Sequence, residues 1–400
     1  MKKLLCDDYL KIHLNEPNQR LYEIDWLRSL AFILLFLYHI GMFYVSDWGW
    51  HVKSAYQSTT LQYIMLVINP WRMPLIFFIS GFTLALVEYK ISSLQLIKLR
   101  FLRVFVPLVF ASNIVILPQP YFEAVQNHDY TGGFWNFAYE YFNHNTQLLP
   151  QMHHSSIGLF TWNHLWYLAY LWFYTLVFIF IRPILKLAIS QLEAKQLAPL
   201  SCFLTLAFAL TLIEVFLEPI FPRTHGLFDD WYNHSRYFLL LIVGYSVAKL
   251  PYLYTSIISY HRMWLLIILP MILISLVIKK APFIEISTVY EKLIATSILV
   301  SGALCCLFAV VSLSGKFLNK PSSLLSYLNN AVLPWYILHQ TVIIIVAMQL
   351  AQLKLGGAVE AALLILITFI VCAVLYETIK RFNVSRFLFG MKLESSKAKH

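Results

Sequence analysis

The chain has 400 residues, of which 59% are hydrophobic and 12% charged, and its mean hydropathy is +0.67. An ordinary soluble domain runs nearer half apolar and a quarter charged, so a water-soluble globular protein is excluded and a membrane protein remains. The formal net charge of +10 reads as a topology signal with an attraction to anionic lipid, and no nucleic-acid partner is expected.

A helix needs about 20 apolar residues to cross a bilayer. Such runs fall at 27–46, 61–87, 101–119, 163–182, 200–218, 236–254, 262–279, 293–314, 331–351 and 357–376. The expected fold is therefore all-α and polytopic, with about ten transmembrane helices. The sixth run is the weakest, because Lys249 interrupts "YFLLLIVGYSVAKLPYLY"; losing it inverts everything downstream. The opening "MKKLLCDDYLKIHLNE" has a basic start but no apolar h-region, so the first span is expected to be retained. With the N-terminus inside, the inner segments hold 22 Lys and Arg residues and the outer ones seven. That asymmetry predicts cytoplasmic N- and C-termini. The five cysteines, Cys6, Cys202, Cys305, Cys306 and Cys372, form no CxxC pair and are expected to be packing residues without disulfides.

The predicted organisation is a cytoplasmic segment over 1–22, a membrane domain over 23–380 with an external insert at about 120–162, and a basic cytoplasmic tail over 381–400. No internal repeat is evident. The insert contains "GFWNFAYEYFNHN", is dense in aromatic rings and amides, and has no Lys or Arg. Sugars stack their apolar faces on rings and bond their hydroxyls to amides and imidazoles, so this surface suits a glycan. An interfacial aromatic belt is the alternative.

Ionisable side chains inside spans are costly, and each raises a functional hypothesis. In "RLYEIDWLRSLAFILLFLYHIG", residues 20–41, eleven steps of about 100° bring His39 to within roughly 20° of Arg28 on one helical stripe. Asp25 joins that face and can pair with Arg28 at i,i+3. His39 lies about 16 Å further along the axis, past the midplane. A cation at one mouth and an imidazole deep in the same groove suit an extended molecule with a phosphorylated head and a reactive tail, such as a coenzyme A thioester. The alternative makes Asp25 and Arg28 snorkelling interfacial residues, with His39 hydrogen-bonded to a neighbouring helix.

"KLRFLRVFVP" adds Lys98, Arg100 and Arg103, the arginines one helical turn apart, as a phosphate clamp or a positive-inside anchor. Arg72 sits in "NPWRMPLIFFISGF", where Pro70 and Pro74 are expected to break the helix and free backbone groups that need a partner. His164 opens the fourth span and His339 lies within the ninth; structural and catalytic roles are both open for them. Glu377 closes the tenth span near Lys380 and Arg381, its possible interfacial partners. Glu88, Glu214 and Glu218 lie near span ends and receive no role. There is no GxSxG elbow, Walker loop, HExxH or dinucleotide fingerprint. "MHHSS" at 152–156 offers metal ligands without an evident remainder of a site, so no metal is expected.

"YEIDWLRSLAFILLFLYH", with ten residues between Arg28 and His39, resembles the opening motif of the integral-membrane acyltransferase 3 family. "FFISGF" at 77–82, Arg100 with Arg103, "HLWYL" at 164–168, "YILHQ" at 336–340 and "YE" at 376–377 are similar to that family's later landmarks, in order across nearly the whole chain. The resemblance implies acyl transfer from cytoplasmic thioesters to hydroxyls of envelope glycans, in a bacterial inner membrane. "HIGMFYVSDWGWHVKSA" at 39–55 and "SRFLFG" near the C-terminus are similar to the branch that succinylates osmoregulated periplasmic glucans. Two departures stand out. The outer loops hold few cations for a succinyl carboxylate, with Arg72 or Arg223 as candidates, and the 120–162 insert bears on acceptor binding.

On this resemblance the donor is acyl-CoA, as succinyl-CoA or acetyl-CoA, with no permanently bound cofactor. Arg28, Arg100, Arg103 and Lys98 hold its phosphates, and Asp25 supports Arg28. His39 is the general base. His164, or a backbone donor near Pro70 and Pro74, stabilises the oxyanion. Arg72, Trp166, Tyr336, His339 and Glu377 bind substrate or support the site. The partners are acyl-CoA, a glycan acceptor and membrane lipid; the oligomeric state stays open. An acyl-enzyme route is the alternative chemistry. O-acetylation of another envelope polysaccharide or lipid-linked sugar is the alternative reaction. A proton-coupled transporter and a receptor without turnover are the rivals from other classes.

Overall fold

The computed structural model describes residues 20–153, 155, 157–280 and 288–394. Most of the expected N-terminal segment, including Cys6, lies outside the described residues. So do residues 395–400 of the expected tail, and His154 and Ser156 of the candidate metal stretch.

The long helices are α1 (Tyr22–Tyr44) and α2 (Thr59–Val87), followed by α3 (Ser93–Arg100), which passes through a π-helix (Phe101–Phe105) into α4 (Val106–Ile114). The insert contains α5 (Pro118–Asn127) and α6 (Phe134–Phe142). Then come α7 (Trp166–Lys195) and α8 (Pro199–Leu212) with a second π-helix (Ile213–Leu217). The remainder is α9 (Trp231–Lys249), α10 (Pro251–Ser259), α11 (His261–Lys280), α12 (Val289–Phe317), α13 (Ser323–Ala351), α14 (Gly357–Ile379) and α15 (Asn383–Leu388). Among the described residues there is no strand, only isolated bridges at Val45–Ser58 and Ser155–Gly158. Among the described residues, nine helical segments are long and apolar enough to span a membrane, or ten when α9 and α10 count as one. The expected all-α polytopic fold of about ten spans is the fold observed.

The weak sixth span is a corner: α9 and α10 meet at 96°. Pro251 follows Leu250, and the residue before a proline is pushed out of the α region. Leu250 accordingly takes φ −117° and ψ 85°, and α9 ends at Lys249. The expected break at Pro70 and Pro74 does not occur, since α2 is continuous through both prolines. What the prolines do is remove ladder donors. Pro74 has no N–H for the carbonyl of Pro70, and Arg236 donates to that carbonyl at 3.2 Å instead.

Two compact groupings organise the chain. The first holds the described parts of residues 20–31, 66–93 and 177–326. In it α2 and α9 touch backbone to backbone. A Cβ on Gly81 would lie 1.8 Å from the carbonyl oxygen of Leu241, and one on Gly244 would lie 2.0 Å from that of Phe78. Small residues are the means by which membrane helices approach this closely. Beside this seam Glu88, buried to 3% exposure, forms ion pairs with Lys249 Nζ at 2.9 Å and Arg182 Nε at 2.7 Å and accepts a hydrogen bond from the Tyr245 hydroxyl at 2.7 Å. Burial by itself raises this carboxyl, but the hydrogen bonds from Tyr245 and Lys249 and the charges of Lys249 and Arg182 outweigh it and hold its pKa below the ordinary value. A second hub forms around Glu214 in the π-helix, with Arg236 at 3.0 Å, Arg223 at 3.6 Å and the Tyr232 hydroxyl as partners. Arg223 also meets Glu218 at 2.7 Å.

The second grouping holds residues 32–65, 94–176 and 327–394. Ile40, Phe43 and Tyr44 of α1 pack with Ile343, Ile344, Ala347 and Leu350 of α13 and Leu364 of α14. The insert has its own small core of Leu117, Ala124, Phe137, Ala138, Tyr141, Met152 and Leu159. Lys53 caps the end of α1, donating to the carbonyls of Met42 at 2.9 Å and Trp48 at 3.1 Å and to that of Val45.

Gly81→Ala and Gly244→Ala should each lower the thermal midpoint of detergent-solubilised protein by the equivalent of about 1–3 kcal/mol of overpacking. Gly49→Ala, where a Cβ meets nothing within 4 Å, should leave it unchanged. Glu88→Gln strands two partly buried cations and should cost about 3–5 kcal/mol. Because the folded pKa of Glu88 is depressed, its contribution is complete above the usual carboxylate range and is lost as pH falls through the folded value. The acid limb of the stability profile should therefore flatten in the glutamine variant.

Candidate active site

The site grows from a kinked turn. Asn163 adopts a positive φ of 39°, a conformation that asparagine tolerates better than most residues. Its backbone N–H donates to Thr161 Oγ1 at 3.0 Å. The short 3-10 turn Asn163–Leu165 then delivers His164 to the start of α7. His164 is buried at 8% exposure and His339, on α13, is fully buried. His39, on α1, is half-buried.

These three imidazoles converge. His39 Nδ1 lies 2.9 Å from His339 Nε2, with the rings within 14° of parallel and their centroids 5.0 Å apart. That separation reflects nitrogen-to-nitrogen contact in a common plane rather than face-to-face stacking. His164 meets His339 edge to face at 4.9 Å and His39 at 6.3 Å. Phe36, one helical turn before His39, stacks on His339 at 4.3 Å and 5°.

The carbonyl of Tyr336 assigns the protons. It lies 2.7 Å from His339 Nδ1 and 3.1 Å from His164 Nε2. A carbonyl oxygen only accepts, so both of these nitrogens carry hydrogen. Neutral His339 then has its lone pair on Nε2, which makes His39 Nδ1 the donor across the 2.9 Å contact. The proton-accepting nitrogen of His39 is consequently Nε2. These proton positions hold for neutral His339, which is fully buried.

A buried amide braces the other side. Gln119 donates to Thr341 Oγ1 at 2.7 Å and to His164 Nδ1 at 3.5 Å. It accepts from Asn163 at 2.9 Å and Gln340 at 3.0 Å. Thr341 passes its own proton to the carbonyl of Val115 at 2.7 Å, and the Tyr336 hydroxyl donates to the carbonyl of His164. All four bonding positions of the fully buried Gln119 amide are thereby used.

Of the residues singled out from sequence, His39, His164, His339 and Tyr336 come together. Trp166 is buried beside them in chain order and packs on Tyr170 at 5.0 Å. On α1, Arg28 pairs with Asp25 at 3.3 Å, as the i,i+3 spacing predicts, and Arg20 joins Asp25 at 2.6 Å. Arg100 ends α3 half-buried, whereas Lys98 and Arg103 are exposed. The expected α-helical turn between Arg100 and Arg103 is replaced by the π-helix Phe101–Phe105. Its wider i→i+5 ring makes three residues a smaller share of a turn, so the arginines do not share a stripe as α pitch implies. Arg72 is buried, and Arg223 is committed to Glu218 and Glu214. Glu377 pairs with Lys380 at 2.6 Å. Among the described residues no His, Cys, Asp or Glu group is arranged to hold a metal ion; in the histidine cluster, two of the nitrogens are spent on each other.

Sequence reasoning missed Gln119, Asn163, Gln340 and Thr341. Gln340 and Asn163 flank two of the histidines, and Gln119 lies in "LPQPY", a polar residue among prolines at the end of an apolar run; those were the available signals. It also passed over Glu88 and Glu214, whose signal was their place opposite arginines and lysines at span ends.

Among known proteins, the acyltransferase domain family matches residues 21–377. Relatives include glucans biosynthesis protein C from Escherichia coli strain SMS-3-5 / SECEC, from strain K12 and from O1:K1 / APEC. Each is 33% identical over 103 residues, and the match spans 26% of this chain and 26% of the relative. No solved structure matches. With a family match over nearly its whole length and a helical fold of segments long and apolar enough to span a membrane, the chain belongs to the acyltransferase 3 family.

Proposed function

We propose that this protein transfers a succinyl group from succinyl-CoA, on the cytoplasmic side of a bacterial inner membrane, to a hydroxyl of a periplasmic glucan. The observation that carries the reaction type is the 2.9 Å contact of His39 Nδ1 with His339 Nε2: with neutral His339 protonated on the Nδ1 that faces the Tyr336 carbonyl, His39 donates from Nδ1 and its Nε2 holds the lone pair that a general base needs. The name of the glucan-biosynthesis relatives supports the acceptor class, and the family's acyl transfer supports a thioester donor.

In this mechanism a sugar hydroxyl gives its proton to His39 Nε2 as its oxygen attacks the thioester carbonyl carbon. The tetrahedral intermediate collapses by breaking the carbon–sulfur bond. His39 returns the proton to the departing thiolate, leaving an ester on the glycan and free coenzyme A. Arg28, with Asp25 behind it, and Arg100, Arg103 and Lys98 are the proposed contacts for the coenzyme A phosphates. Arg72, buried within α2, is our candidate for the succinyl carboxylate. His164, whose Nε2–H is given to the Tyr336 carbonyl, acts as a brace for the base.

The insert supports a glycan acceptor. Trp135, Tyr139 and Phe142, spaced i, i+4 and i+7 on α6, are 80%, 67% and 46% exposed, while Phe137, Ala138 and Tyr141 fix the opposite face in the insert's core. Exposed Asn136 and Asn143 flank the stripe, and the insert has no Lys or Arg to seek lipid phosphate. Rings beside amides without cations fit an uncharged sugar.

Inside-out vesicles given labelled succinyl-CoA or acetyl-CoA, with glucan enclosed, should label the glucan, faster with the succinyl donor. His39→Ala should reduce that labelling about 10²-fold or more; wild-type labelling in this variant removes His39 from the chemistry. Trp135→Ala combined with Tyr139→Ala should raise KM for glucan about tenfold, from two lost stacking contacts, and leave KM for the thioester unchanged. A changed membrane partition with an unmoved glucan KM assigns the stripe to an interfacial belt instead.

A further inference from the structure

We infer that His339 is a positioning residue that fixes His39 in its Nδ1–H tautomer, using the Tyr336 carbonyl as its anchor. The inference rests on the proposed role of His39 as base and adds what makes that role one-directional. A lone imidazole exchanges its proton between two nitrogens, and only one of those tautomers presents a basic Nε2. Here the choice is made two bonds away. The Tyr336 carbonyl holds a proton on His339 Nδ1 at 2.7 Å. This leaves His339 Nε2 as an acceptor, and that acceptor holds the proton of His39 on Nδ1 at 2.9 Å.

The anchor is itself immobilised. Tyr336 O also takes the Nε2–H of His164 at 3.1 Å, and the Tyr336 hydroxyl is tied back to the carbonyl of His164. Gln119 closes the remaining nitrogen of His164. Phe36, lying at 5° to the plane of His339, prevents that ring from turning out of the plane it shares with His39. The arrangement does the orienting work that a buried carboxylate does for the histidine of a Ser-His-Asp triad, but with neutral groups. In a membrane core that difference matters, because a carboxylate at a fully buried position demands charged partners of its own.

The test is steady-state transfer from labelled succinyl-CoA to a soluble glucan by full-length protein in vesicles, with His39→Ala alongside. His339→Leu keeps bulk and removes the acceptor; His339→Gln places Oε1 near the position of Nε2. For His339→Leu, kcat should fall about 10- to 10²-fold, the usual loss when an orienting partner is removed, while KM for the thioester stays within about threefold. His339→Gln should recover most of that loss, which a purely space-filling role for His339 does not predict. Nitrogen-15 NMR of histidine-labelled wild-type protein, with the His39 signal identified by its absence in His39→Ala, should show His39 protonated at Nδ1. The inference is overturned by an Nε2–H tautomer in the wild type, or by wild-type kcat in His339→Leu while His39→Ala is inactive. If His39→Ala itself turns over normally, it is the general-base reading that falls, and the two failures are thereby told apart.

Discussion

A carbonyl oxygen cannot donate, and the site's chemistry follows from that. The Tyr336 carbonyl, buried with two imidazole nitrogens within hydrogen-bonding distance, sets a proton on each of them. In water such a preference is worth little, since solvent competes for every position. In a protein interior at low dielectric, an acceptor facing an acceptor leaves two groups desolvated without recompense, at a cost of about 1–3 kcal/mol or more for each. The polarity of the three-histidine cluster is therefore imposed by one peptide group of α13. The surrounding amides of Gln119, Gln340 and Asn163 keep that peptide group and His164 in register.

The same constraint shapes the charged parts of the chain. Glu88 collects Arg182, Lys249 and Tyr245; Glu214 collects Arg223, Arg236 and Tyr232. With Glu218 included, the Glu214 hub sums to zero formal charge, whereas the Glu88 hub, one carboxylate against Arg182 and Lys249, keeps one net positive charge. They also explain how helices as apolar as α2 and α9 are kept in one register, which hydrophobic contact alone does not specify among lipid tails of equal polarity. Arg236 shows the economy of the scheme, serving Glu214, Tyr232 and the carbonyl that Pro74 deprives of its ladder partner.

The spans were legible because bilayer thickness writes itself into run length, and nine of the ten runs match a helix that passes for a span on its own. The tenth is bent at the corner before Pro251, and Lys249 at that corner pairs with Glu88, a partner 161 residues away that no local pattern announces. His39 stood out because an imidazole in an apolar run is conspicuous, and the i,i+3 pairing of Asp25 with Arg28 follows from helical pitch. The conjunction of His39 with His164 and His339 was not readable, since each lies in a separate span and periodicity says nothing of which spans adjoin. Two local expectations failed for identifiable reasons. Prolines in a long membrane helix need not break it when a neighbour satisfies the released carbonyl, and α pitch does not hold across Phe101–Phe105, where the ladder widens to a π turn.

The glycine seam has one more consequence. Where Gly81 and Gly244 bring α2 and α9 into backbone contact, no rotamer lies between the helices to absorb displacement. When a bilayer thins or thickens, single helices commonly adjust by changing their inclination. These two can only do so as a plank of double width. Lipid composition should then act on them as a unit, with the right-angled continuation at Pro251 the nearest place along α9 where the strain of a mismatched membrane is taken up.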